Sequence, residues 1–157
     1  ERVPEVSLHL VGNLQTNKAK EAVELFDVIE CVDRPKLAVA LAREMDRRDK
    51  RPECYIEVNM GGEVQKGGIA TNALPNFIHY CVEELNLPVT GLMCIPPVDD
   101  EPSPYFALLA KLAERHELRE VSMGMSRDYE IAVMFGATMV RVGQAIFGPR
   151  PQRENAN

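Results

Sequence analysis

The sequence predicts an α/β fold of parallel strands joined by crossover helices. Two observations carry that expectation. Six short apolar runs alternate with amphipathic helical segments along the chain, a repeat that points to βα units. In addition, several of the runs end in glycine, asparagine or serine at the presumed carboxyl end, where ligand groups gather in such folds. Two architectures compete: an open doubly wound sheet and a closed eight-unit barrel. About six units fall short of the usual eight-stranded closure, so the pattern alone leans slightly to the open sheet.

The elements follow in order. Ser7 to Gly12 forms the first strand and gives way at Asn13 to a helix reaching Phe26, with Thr16 or Asn17 as its cap. Val28 to Asp33 is the second strand. Pro35 opens the next helix, whose apolar stripe is Leu37, Val39, Leu41 and Met45. Cys54 to Asn59 is the third strand, followed by a glycine loop. Thr71 to Leu85 is a helix with Pro75 in its first turn, and Val89 to Ile95 is the fourth strand. After the acidic loop Asp99-Asp100-Glu101, a helix runs from Pro104 to His116. The last two strands lie in 121–125 and 139–142, and the tail from Pro149 is polar.

The chain has 157 residues, 45% hydrophobic and 27% charged, enough for one domain with a real core. A formal charge of -6 argues against a general nucleic-acid surface. The basic cluster Arg47, Arg48, Lys50 and Arg51 is better suited to a helix end. No apolar run is long enough to span a bilayer, and no signal peptide stands at the start. Four cysteines without a CxxC pair predict reduced, buried thiols and a cytoplasmic protein. The three histidines have no zinc-ligand spacing with them, so no metal site is expected.

The stretch richest in chemistry is Glu120-Val-Ser-Met-Gly-Met-Ser-Arg-Asp128 followed by Met139-Val-Arg-Val-Gly-Gln-Ala-Ile-Phe-Gly148. Ser126 stands at a strand exit, with Ser126 or Asp128 as N-cap of the next helix. Arg141 lies between two valines, where a buried charge needs a partner. Gly143-Gln144 opens a turn. A hydroxyl, turn amides and an arginine suit a phosphorylated aromatic ligand; a pair of core strands with a surface-reaching arginine explains the same residues about as well. Glu57 faces either a barrel interior or a solvated edge. His9 is expected as a hydrogen-bonded core residue.

His9-Leu-Val-Gly-Asn-Leu-Gln-Thr-Asn-Lys18 resembles the H-x-I-G-x-L-Q-x-N-K signature of the pyridoxal phosphate homeostasis protein family. Gly91 to Pro96, Ser122 to Asp128 and Val140 to Gly148 resemble its later signatures in the same order. The resemblance implies a barrel of the alanine racemase N-terminal-domain type, a (β/α)8 TIM-barrel fold incomplete at about six βα units, in residues 1–148, with 149–157 as a tail. It implies a pyridoxal 5'-phosphate-binding, non-catalytic protein of vitamin B6 homeostasis; a racemase-type enzyme or a barrel fragment keeping only a phosphate cup are the alternatives. It implies that the Ser126 hydroxyl and the Gly143 and Gln144 amides hold the phosphate. It places Arg141 at the pyridine nitrogen, with Asn59 and Met93 lining the pocket. Gln144 departs from the family's usual Thr or Ser, so only the amide contact carries over. The family's lysine motif and the G-E-N motif after it have no counterpart here; Lys18, Lys20 and Lys66 read as surface residues, and no covalent anchor is assigned. A gap of roughly two βα units predicts open edges and self-association through them.

Overall fold

The computed structural model describes residues 6–62 and 67–149. Seven strands form one wholly parallel sheet: β1 (His9–Leu10), β2 (Val28–Val32), β3 (Glu53–Asn59), β4 (Ile69–Ala70), β5 (Val89–Met93), β6 (Glu120–Met125) and β7 (Met139–Arg141). The helices are α1 (Ala19–Leu25), α2 (Pro35–Arg48), α3 (Leu74–His79), α4 (Ser103–Arg115), α5 (Tyr129–Met134) and the single turn α6 (Gln144–Phe147).

The order across the sheet is β1-β2-β3-β5-β6-β7, with β4 added to the end of β3. With the short β4 set aside, each strand lies beside the one before it in the chain, without the reversal that defines a doubly wound sheet. This corrects the slight lean of the strand count toward an open sheet and agrees with the barrel. The sheet is also strongly curled. Glu30 of β2 reaches Ser122 of β6 at 2.5 Å, although β3 and β5 lie between them; in a flat sheet those strands would stand about 14 Å apart. Only an inward-curving wall lets the two side chains meet.

Alternation along the strands sorts the residues into two layers. Ile29, Cys31, Cys54, Ile56, Leu92, Val121 and Met123 face the helices and pack against Leu37, Leu41, Met45, Phe106 and Leu109. Burying one such side chain contributes roughly 1.5–3 kcal/mol, so this outer layer is the main source of stability. The inner face carries a small apolar cluster of Val28, Tyr55 and Met93, backed by Ile95, and a set of polar groups.

Local features differ from expectation in three places. β4 has only two residues, too few for a periodic signal. The helix expected over 71–85 is α3 followed by a wider π-type turn over Tyr80–Glu84. At the start of α1, a 3-10 turn over Thr16–Lys18 replaces a side-chain cap. The basic cluster after α2 serves as a tie: Lys50 donates to the carbonyls of Glu24 and Phe26, and Arg51 to that of Asn86. All four cysteines are buried and unpaired. No described helix is long and apolar enough to cross a membrane.

Candidate functional site

The polar groups converge where β5, β6 and β7 end. β6 leaves the sheet through Gly124, whose φ of +89° suits glycine. A tight turn follows, closed from both sides: the Asp128 amide donates to the Met125 carbonyl at 3.0 Å, and the Met125 amide donates to Asp128 Oδ1 at 2.6 Å. Asp128 therefore shapes the turn and makes no side-chain cap on α5. The turn presents Ser126, whose Oγ accepts from the Ala145 amide at 3.2 Å. That bond joins the exit of β6 to the first turn of α6. The Gly143 and Gln144 amides make no hydrogen bond among the described residues, and a Cβ added at Gly143 would meet nothing within 4 Å. A hydroxyl and two uncommitted amides thus border open space, the donor set a phosphate dianion needs.

Arg141, at the end of β7, lines the same cleft of about 1060 Å³ as Ser126, Gly143 and Gln144. Its guanidinium is held twice: Nη1 donates to Ser122 Oγ at 2.6 Å and Nη2 to the Cys94 carbonyl at 2.9 Å. Burial draws its pKa down, and the nearby Glu30 carboxylate is the foremost group opposing that shift. The partners that a buried arginine requires are therefore present, supplied by β2, by β6 and by Cys94 just after β5.

Asn59 and Met93 occupy different surroundings from these four. Met93 is fully buried in the inner apolar cluster with Val28 and Tyr55. Asn59 ends β3 beside Ala70 of β4, on the other side of the strand ends. There Gly67 packs so closely that a Cβ would lie 3.2 Å from Asn13 Oδ1, 3.2 Å from Asp33 Oδ2 and 3.7 Å from Glu57 Oε1. Glu57 is thus an interior residue, and its pKa is raised by burial and by Asp33, against the pull of Arg141. His9 is also interior, with Nδ1 2.7 Å from Glu30 Oε1. Lys18 pairs with Glu21 at the surface; Lys66 lies outside the described residues. No cluster of three metal-ligating side chains occurs among the described residues. In the acidic loop, Asp100 and Glu101 instead accept from Tyr105 and Ser103.

Glu30 and Ser122 are the site residues that sequence alone leaves unmarked. The available signal was a carboxylate inside the apolar run Val28-Ile-Glu-Cys-Val32.

Fold and cleft together define an incomplete (β/α)8-type barrel domain with its polar site at the carboxyl ends of the strands. The chain belongs to the family described as alanine racemase, N-terminal domain, whose model matches residues 2–151, and within it to the pyridoxal phosphate homeostasis proteins. It is 38% identical over 151 residues to the pyridoxal phosphate homeostasis protein of Aquifex aeolicus, covering 90% of this chain and 66% of that protein. The Vibrio cholerae protein of the same name is 36% identical over 166 residues, covering 99% and 70%. PipY of Synechococcus elongatus, solved with PLP bound, matches with a TM-score of 0.82 at 34% identity, over 93% of this chain and 72% of that one. Its structure without PLP gives 0.84 over 93% and 73%. The chain thus spans about two thirds of these relatives' length.

Proposed function

We propose that this domain binds pyridoxal 5'-phosphate non-catalytically, as part of a protein that carries or buffers the cofactor in vitamin B6 homeostasis. The observation that carries the reading is the shared cleft of Ser126, the Gly143 and Gln144 amides and the doubly held Arg141. The Ser126 hydroxyl and the two amides hold the phosphate, while Arg141 faces the ring nitrogen. Pyridoxal phosphate supplies an electron sink when its ring nitrogen is protonated. A fixed guanidinium at that nitrogen disfavours protonation, so this chain's residues favour holding the cofactor over driving carbanion chemistry. Met93, in the inner apolar cluster, and Asn59, beside β4, are assigned flanking positions and no direct contact with the phosphate. The homeostasis proteins among its relatives and the PLP-bound PipY support the reading. Four buried, unpaired thiols support a reducing compartment, the cytoplasm.

The test is a titration of the purified chain with pyridoxal phosphate, followed by absorbance, with Ser126→Ala and Arg141→Leu alongside. Saturable binding that weakens roughly tenfold or more in each variant is expected. Borohydride reduction and intact mass then report whether any lysine of the chain attaches to the cofactor. Binding that ignores both substitutions, or robust racemisation of alanine, would overturn the reading.

A further inference from the structure

Glu30 is 1% exposed and Ser122 is fully buried; they are the buried polar residues of the described protein, and the contacts proposed for the cofactor use neither. A carboxylate so placed is costly unless it is hydrogen-bonded and its charge is balanced. Both conditions are met by one chain of contacts across the barrel: His9 Nδ1 to Glu30 Oε1 at 2.7 Å, Ser122 Oγ to Glu30 Oε2 at 2.5 Å, and Arg141 Nη1 to Ser122 Oγ at 2.6 Å. The direction of each bond follows from the groups. A guanidinium only donates, so Ser122 Oγ accepts from Arg141. The single serine proton is then left for Glu30, and an ionised carboxylate only accepts. His9 must therefore present an N–H at Nδ1. The serine sits between a cation and an anion and links them in one orientation.

We propose that Glu30 and Ser122 are positioning residues for Arg141, with Glu30 as its counter-charge across the serine hydroxyl and His9 anchoring the far side of the carboxylate. The relay spans β1, β2, β6 and β7. With Nη1 committed to Ser122 and Nη2 to the Cys94 carbonyl, the guanidinium plane is fixed before any ligand arrives, which lowers the cost of binding. In a half-open barrel this matters doubly, because its Glu30–Ser122 link is also a cross-brace between β2 and β6, which are not paired in the sheet. The consequence for recognition is specific. Loss of the relay should weaken what Arg141 contacts, the aromatic ring, and spare what Ser126 and the turn amides contact, the phosphate.

This inference rests on the proposed binding of pyridoxal phosphate, so its test has one arm with ligand and one without. In the first, Ser122→Ala and Glu30→Gln are titrated with pyridoxal phosphate and with inorganic phosphate, alone and in an Arg141→Leu background. The expected result is roughly tenfold weaker pyridoxal phosphate binding, inorganic phosphate affinity within about twofold, and no further loss once Arg141 is gone. Equal losses for both ligands, or additive losses in the Arg141→Leu background, would overturn the proposal. In the second arm, the guanidinium NMR signals of Arg141, assigned by their disappearance in Arg141→Leu, are followed in the unliganded protein. Slowly exchanging signals in the native chain that are lost in Ser122→Ala are expected; signals unchanged by Ser122→Ala would overturn the proposal even if pyridoxal phosphate failed to bind. Melting curves identify a variant that does not fold, and the other variant then decides.

Discussion

At the scale of single residues, the interior of the barrel is a set of charges held at unequal cost. Arg141 and Glu30 are balanced through Ser122, but Glu57 is not: its Oε2 is buried with no hydrogen-bond partner among the described residues. Burial and the neighbouring Asp33 raise its pKa above the ordinary value of 4.5, and Arg141 offsets only part of the shift. The sign of the consequence follows from linkage. Between 4.5 and the higher folded value, the folded state holds a proton that the unfolded state has lost, so stability falls as pH rises through that window. Glu57→Gln removes the titration. Its melting temperature should match the native chain's below the window and exceed it above, as measured by calorimetry from pH 4 upward. A difference between the two proteins that stays constant with pH would show that Glu57 has no such shift. Ser126 and Arg141 were legible as candidates because strand exits and out-of-place charges show in sequence. Glu30 was not, because what gives it a role is Ser122, 92 positions away.

At the scale of elements, close packing of turns decides the geometry of the cleft. Gly124, one residue before the end of β6, has a φ of +89°, and a Cβ there would stand 2.5 Å from the Ala132 Cβ of α5. Gly136, at the other end of α5, has a similar φ of +88° but open space around it. Gly124→Ala therefore combines backbone strain with a clash and should cost roughly 2–4 kcal/mol, against roughly 1–2 kcal/mol for Gly136→Ala. Urea denaturation of both variants measures the difference; equal costs would mean that α5 yields to the added methyl. The same contrast explains what the sequence could show of the elements. Six strands were legible from their apolar runs, since each fills a layer against helices. β4, with two residues on the end of β3, buries too little to leave a pattern, and the π-type turn after α3 satisfies the same apolar face as a regular helix.

At the scale of the molecule, the decisive fact is strand order, which no local pattern encodes. Six βα repeats fit either architecture, and only the sequential order β1-β2-β3-β5-β6-β7 and the Glu30–Ser122 contact across the wall distinguish the curled barrel. That curvature leaves β1 and β7 each paired on one side only among the described residues. Both flanks also carry apolar side chains in the open: Val6, Leu8 and Val11 near β1, and Met134 (84% exposed), Ile146 and Phe147 (85% exposed) around β7. Unpaired parallel edges beside exposed apolar surface are the usual setting for chain–chain association. The 157-residue polypeptide should therefore self-associate. Sedimentation equilibrium should give a weight-average mass that climbs above the 17.6 kDa of one chain as concentration rises, and Phe147→Ser with Met134→Gln should move the rise to higher concentration. A mass that stays at one chain throughout would mean that the two edges are protected within the monomer, and that the cross-brace through Glu30 and Ser122 is sufficient to hold the curled sheet without a partner.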